Sequence, residues 1–286
     1  MPAKHKLGNL DLALLSDGNF YIDAGATFGI VPRVMWEPFA GKLDSRHRVT
    51  LGLNSLLLRS QDKLILLETG VGDKPSGWRR QSSPASSGTL MTELDALGVR
   101  PEDIDVVINT HLHADHCGWN TRIVDGVAVP TFPNAEYMIV RDEWEAAMAP
   151  NERTRATYIE DNLLPVEQAG RLNLVDGETK VTDEVTIVPT PGHSAGHCSI
   201  VLSSGGETGI YIGDIAQIAV QLERTAWVSS FDIMPMVSIE TKKRLVEQAI
   251  EENQLIIAVH APFPGLGRMA LNEQGHRHWS AVDATG

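Results

Sequence analysis

The chain has 286 residues, is 42% hydrophobic and 21% charged, and carries a formal net charge of −13. That is the composition of a globular protein, not of a disordered or fibrous one, and its acidic balance repels phosphate backbones, which makes nucleic acid a poor partner. Two cysteines, Cys117 and Cys198, cannot build a disulfide framework.

The N-terminal "MPAKHKLGNLDL" has no apolar signal core, and no run reaches the roughly 18 apolar residues of a membrane span. A cytoplasmic protein is expected, with no membrane partner. "LDLALLSDG" is an apolar run ending in a turn. "NSLLLRSQDKLILLETG" reads as two strands joined across the polar "SQDK". Between them, Asn19–Thr50 is rich in Gly, Pro and aromatics, and reads as a long flap over a pocket. "SRHR" inside it and "WRRQ" further on are short candidates for a basic patch, and both read as solvated loop charge. Ser76–Gly88 is Ser-rich and reads as an exposed loop. "TLMTELDALG" predicts a short helix with Gly98 as its stop. "PEDIDVVINT" becomes a buried strand. Arg141–Gly170 reads as helical, interrupted at Pro150 and Pro165. "VTIVPTPGH", "SIVLSS" and "GIYIGD" are further strands. "SIETKKRLVEQAIEEN" is an amphipathic helix with Ile239, Leu245, Val246, Ala249 and Ile250 as its apolar stripe. "LIIAVHAPFPG" reads as a last buried strand. No linker or repeat divides the chain, so one α/β domain over residues 1–286 is expected, with its site at strand ends.

The chemistry concentrates in "NTHLHADHCGW", Asn109–Trp119. His111 and His113 lie two apart, so in extended chain both imidazoles reach the same side. Asp115 and His116 follow where the chain turns and can face a second position. Imidazole and carboxylate suit zinc and similar divalent ions. Burying four such groups together is costly without a cation. Three further residues stand at strand ends: His193 in "PTPGHSAGH", Asp214 in "YIGDIA" and His260 in "IIAVHAPF". Asn109 and Thr110 are placed either to orient imidazoles or simply to pack.

These motifs, in this order, resemble the metallo-β-lactamase superfamily. "HLHADH" matches its H-x-H-x-D-H motif, and "PGHSAGH", "GD" and the late strand-terminal His match its remaining ligand motifs. The resemblance runs from "LLSDG" to about "FPGLGR". It implies an αββα sandwich with a metal site at one sheet edge. It also implies that His111, His113 and His193 hold one ion, that Asp115, His116 and His260 hold another, and that Asp214 bridges them. The cofactors would be two divalent ions, zinc first, with manganese, iron or cobalt as alternatives. Such a pair shares a hydroxide formed at neutral pH, which attacks a carbonyl carbon or a phosphorus. Asp115 and Asp214 are the catalytic carboxylates, Asp115 also able to relay a proton. "ETG", with Glu68, stands where the family often has Asp-Thr-Gly.

The early loop and "HAPFPGLGR" look like the branch of N-acyl-homoserine lactonases and methyl parathion hydrolases. Phe28, Ile30, Trp36, Trp119, Gln217 and Phe263 are the candidates for its substrate pocket. Gln217 stands where many of those lactonases carry a Tyr. The expected reaction is hydrolysis of a small apolar lactone or ester. An organophosphate triesterase, another phosphodiesterase or nuclease, and a non-catalytic scaffold are the alternatives. The partner is a small molecule, and a homodimer is compatible with the reading.

Overall fold

The computed structural model describes residues 1–74 and 87–285. Most of the Ser-rich segment, with its "WRRQ" run, lies outside the described residues. Alternating apolar side chains build the first sheet. In β3 (Arg48–Ser60) and β4 (Lys63–Leu67), Leu56, Leu58, Ile65 and Leu67 face one core while Leu57, Leu64 and Leu66 face another. That is the pattern of strands buried on both faces. The pair is an antiparallel hairpin, with Leu56 opposite Leu67 and Ser60 opposite Lys63. β1 (Ala3–Leu7) and β2 (Leu10–Asp23) extend it on one side. β5 (Val106–Ile108), β8 (Glu136–Val140) and β9 (Leu172–Val175) extend it on the other, for an order of β1-β2-β3-β4-β5-β8-β9.

The second sheet runs in chain order: β10 (Thr179–Lys180), β11 (Val185–Pro189), β12 (Cys198–Ser204), β13 (Glu207–Tyr211), β14 (Leu255–Ile257), β15 (Leu266–Leu271) and β16 (Arg277–Ala281). β6 (Thr121–Val124) and β7 (Val127–Pro130) form a separate ribbon. The inner faces of the two large sheets meet: Leu12, Leu58, Leu67 and Ile108 from the first share one core with Ile187, Ile200, Tyr211 and Ile257 from the second. Helices cover the outer faces. α3 (Leu90–Ala96) brings Leu90 and Leu94 against Leu57, Leu66 and Val107. α6 (Val220–Glu223) and α7 (Pro235–Glu251) bring Leu222, Leu245, Val246 and Ala249 against Ile210 and Ile256. The layers are therefore helix, sheet, sheet, helix, which is the expected α/β sandwich. No helix among the described residues is long and apolar enough to cross a membrane.

Four expectations need correction. The Asn19–Thr50 stretch is not all loop: β2 runs on to Asp23 and pairs with Arg48–Gly52 past an irregularity between Ser16 and Asn19. Only then come α1 (Ala24–Phe28) and α2 (Arg33–Trp36). Within Arg141–Gly170, α4 (Arg141–Met148) and α5 (Glu160–Gln168) flank a loop, and Pro165 sits inside α5 rather than breaking it. Pro165, the sixth of nine residues, gives up the bond that an N–H there would make to the Asp161 carbonyl, and the Thr121 hydroxyl donates to that carbonyl instead at 2.5 Å. β14 is not the last strand, since β15 and β16 follow it. The α7 stripe is also shifted: Ile239 and Ile250 are only partly buried, whereas Ser238, Thr241 and Lys242 are buried. Lys242 sits there because its Nζ donates to the Trp227 carbonyl at 2.6 Å.

Candidate metal centre

Strand ends from both sheets converge at one edge. β4 runs into Glu68, β5 into Asn109–His116, β11 into His193, β13 into Asp214 and β14 into His260. The ligating atoms of His111, His113 and His193 lie within 4.8 Å of one another, and so do those of Asp115, His116 and His260. Asp214 stands between the two triads. Its Oδ2 is 3.3 Å from His193 Nε2, while its Oδ1 is 3.2 Å from His116 Nε2 and 2.9 Å from His260 Nε2. Asp115 Oδ2 is 3.6 Å from both His116 Nε2 and His260 Nε2.

The far side of most rings is already committed. His193 Nδ1 meets Asp232 Oδ1 at 2.9 Å, and Ser238 Oγ donates to the other oxygen of that carboxylate at 2.8 Å. His260 Nδ1 meets the Gly52 carbonyl at 2.8 Å. Thr110 Oγ1 lies 3.0 Å from His111 Nδ1 and donates to Glu68 Oε1. A carboxylate only accepts, so the Thr110 hydroxyl gives its proton to Glu68 and accepts from His111 Nδ1–H. These rings therefore present unprotonated Nε2 atoms inward, the arrangement that outer partners impose on metal-binding imidazoles. His111 Nε2, His116 Nε2, His260 Nε2 and Asp214 Oδ1 are buried without a hydrogen-bond partner. Buried polar atoms in that state are costly. Divalent cations would satisfy all four, so the donor set fits metal.

Burial, and then the neighbouring imidazoles, hold His111 and His113 well below the ordinary histidine pKa. Burial opposes ionisation of Asp214, but His260, His116 and His193 outweigh it and hold its carboxyl well below the usual range. Burial likewise opposes charge on His116, yet the carboxylates of Asp214, Asp115 and Glu68 lift it. The centre thus sets two imidazoles held neutral, His111 and His113, beside two, His116 and His193, whose charged forms the neighbouring carboxylates favour. Glu68, Thr110 and Asn109 serve it from outside: Glu68 Oε1 accepts from Thr110 N at 3.0 Å, and Asn109 Nδ2 donates to Glu68 Oε2 at 3.3 Å and to the His116 carbonyl at 3.0 Å.

Three supports carry no local sequence signal. Glu143, at the start of α4, is fully enclosed. It accepts from Leu112 N at 2.9 Å, Tyr158 Oη at 3.2 Å and Ser194 Oγ at 2.5 Å, tying the His111–His113 segment to the His193 loop. Asp232 is the second. His197, the other histidine of "PGHSAGH", is the third: its Nε2 accepts from Asp214 N at 3.0 Å and its Nδ1 meets the Thr190 carbonyl at 3.0 Å. Burial pushes its pKa down to about 3. Gly213 permits the approach. Its φ is +53°, and a Cβ there would come within 2.5 Å of His197 Nε2.

A cavity of about 40 Å³ opens above the centre. His113, Asp115, His193 and Asp214 form its floor, Phe20, Ile22, Ala156, Thr157 and Phe231 its walls, and Gln217 its polar corner. Phe20 also meets the His260 ring edge-on, centroids 5.1 Å apart. Of the six pocket candidates from the sequence, Gln217 alone lines it. Phe28 and Trp36 stack on each other at 4.7 Å inside the core beneath the early loop. Ile30 points outward, 87% exposed. Trp119 packs behind the motif, its Nε1 donating to Asp17 Oδ1 at 3.0 Å. Phe263 lies by the N-terminal residues, away from the floor. Phe20 and Ile22 were within reach of the sequence, because their spacing puts them on one face of β2.

A family model for the metallo-beta-lactamase superfamily matches residues 49–259. Curated relatives include N-acyl homoserine lactonases of Bacillus cereus, 28% identical over 60% of this chain and 61% of that one, and of Bacillus thuringiensis, 27% identical over 71% and 79%. The chain thus spans less than two thirds of the Bacillus cereus relative. Among solved structures, the hydrolase AbOPH of the beta-lactamase superfamily superposes with a TM-score of 0.82 at 25% identity, over 99% of this chain and 97% of that one. The dizinc quorum-quenching lactonase AidC, in complex with a product, superposes with a TM-score of 0.80 at 22% identity, over 100% and 98%. A sandwich with clustered histidines and aspartates at its sheet edge defines a class, folds with a metal site at that edge. The chain belongs to the metallo-beta-lactamase superfamily.

Proposed function

We propose that the chain hydrolyses a small lactone with an apolar substituent, of the N-acyl homoserine lactone kind, or a related ester, with two divalent ions, zinc first. The observation that carries this is the position of Asp214 between two complete triads, with its Oδ1 and three inward imidazole nitrogens left without partners. His111, His113 and His193 would hold one ion, and Asp115, His116 and His260 the other. When bound, such ions supply Lewis acidity and lower the pKa of water to near neutrality. The protein does the rest. Asp232, Gly52 and Thr110 fix the imidazole tautomers. Phe20, Ile22 and Phe231 shelter an apolar substituent. Asp115 and Asp214 both border the cavity, and Asp115, the more exposed of the two, is placed to pass a proton from the attacking water to the leaving ring oxygen. The sequence relatives named as lactonases support this reading.

The test is a panel of lactones, aryl esters, phosphotriesters and β-lactams on metal-reconstituted protein, with metal content measured in parallel. Lactone opening at the highest kcat/KM, with two ions per chain, is expected. Full activity at one ion per chain, or a phosphotriester as the best substrate, would overturn the reading.

A further inference from the structure

The face that α7 turns to the core begins with polar residues. Ser238, Thr241 and Lys242 follow the i, i+3, i+4 spacing of one helix face, and all three are buried. An amphipathic helix ordinarily puts apolar side chains there. Each of the three instead reaches the segments that carry His193. Ser238 Oγ donates to Asp232 Oδ2 at 2.8 Å, and Asp232 Oδ1 meets His193 Nδ1 at 2.9 Å. Thr241 Oγ1 donates to the Pro191 carbonyl at 2.8 Å. Lys242 Nζ donates to the Trp227 carbonyl, at the base of the segment that leads to Phe231 and Asp232. The backbone closes the same contact: Ile233 N donates to the His193 carbonyl at 3.1 Å, and Met234 N to the Gly192 carbonyl at 3.0 Å. A Cβ on Gly192 would come within 2.4 Å of Ser238 Cα, so the His193 loop lies directly on the helix.

Hydrogen bonding accounts for the serine and the threonine but not for the lysine. Lys242 is 1% exposed, and among the described residues its ammonium has one hydrogen-bond partner. One carbonyl does not offset the cost of burying a full charge, which needs an opposite charge nearby. Asp232 supplies it. Ser238, one turn before Lys242 on the same face, holds that carboxylate. Burial draws the Lys242 ammonium down to about 8, and the attraction of Asp232 opposes the fall, so at neutral pH the group keeps its proton. We infer that Lys242 is a positioning residue for the proposed metal site, the buried countercharge of Asp232, through which α7 sets how firmly His193 holds its ion. An anionic partner on Nδ1 makes the opposite ring nitrogen a better metal donor. Lys242 itself touches neither the ion ligands nor the cavity lining.

The inference rests on the metal-binding part of the proposed function and is read from ions, not from lactones. Metal-free protein is titrated with zinc against a chromophoric chelator, with affinity counted per folded chain by circular dichroism. Lys242→Met removes the charge and the hydrogen bond. Lys242→Gln removes the charge and keeps a donor for the Trp227 carbonyl. Each should weaken one of the zinc-binding steps by about tenfold. In an Asp232→Asn background there is no carboxylate to balance, and adding Lys242→Met should change the affinity no further. A lysine that only props the Trp227 segment would cost the same factor in both backgrounds, and that result would overturn the inference. Wild-type affinity in Lys242→Gln, or loss of the fold in both single variants, would overturn it too. If the wild type binds no zinc, the proposed function fails and takes the inference with it. If it binds zinc with this pattern but opens no lactone, the substrate reading fails alone.

Discussion

Replacing His197 by Gln tests whether this ring is a neutral strut beneath Asp214. In the fold its Nε2 accepts the Asp214 N–H and its Nδ1–H meets the Thr190 carbonyl, so a second ring proton would point at a donor. Burial holds the folded pKa at about 3, against about 6.5 for the unfolded chain. The folded pKa is depressed, so between these values the unfolded state binds the extra proton. Stability from this group is complete above about pH 6.5 and is lost progressively as pH falls toward about 3. At about pH 5 the unfolded ring is protonated roughly 30 times over, and the loss comes to about 2 kcal/mol. Glutamine keeps one acceptor and one donor but does not titrate. Urea unfolding of both proteins at about pH 7.5 and about pH 5, at matched metal loading, reads the difference. Acidification should cost the wild type about 2 kcal/mol more than His197→Gln. Equal losses in the two proteins would refute the strut.

Other outcomes follow from the same contacts. His116→Ala should leave about one ion per chain and remove most of the hydrolysis, read by metal analysis and lactone kinetics. Asp232→Ala frees His193 Nδ1, and should weaken metal affinity by about 10- to 100-fold with little change in fold. Asp17 accepts from Val71 N, Gly72 N, Leu90 N and Trp119 Nε1. Asp17→Asn turns an NH2 group onto donors and should destabilise by roughly 2–3 kcal/mol in denaturant unfolding. Leu58→Ala, in the layer between the sheets, should cost about 2–5 kcal/mol.

The layered fold was legible because unbroken apolar runs at 56–58 and 64–67 flank the polar "SQDK" and because "SIETKKRLVEQAIEEN" repeats with the period of a helix. The histidines and aspartates were legible because strand ends and turns set their spacing locally. The supports were not. Glu143 reaches Leu112 and Ser194 from another helix, and Asp232 meets His193 from 39 residues away. Nothing beside Glu143 or Asp232 in the chain announces those meetings. The pocket was misread for a related reason. Trp119 follows the motif directly, yet Asp17 draws its indole backward into the core. Phe28 and Trp36 found each other instead of a ligand. Side-chain direction at such positions is decided by tertiary partners, whereas Phe20 and Ile22 lie on a regular strand whose pleat decides it. β15 and β16 were missed because Arg268 interrupts "LGRMAL" and "RHWSA" is half-buried or exposed throughout, so neither shows a buried strand's unbroken apolar run.

Each triad draws on both sheets: His111 and His113 with His193, Asp115 and His116 with His260. An ion in either place would thus be a rivet through two plates. Neither plate alone holds three of its ligands, so removing metal would release the edge where β3 meets the His260 segment, through Gly52 and Asn54. Amide exchange should then quicken there first, opening the sandwich like a book from its active edge while the spine of leucines between the sheets stays shut.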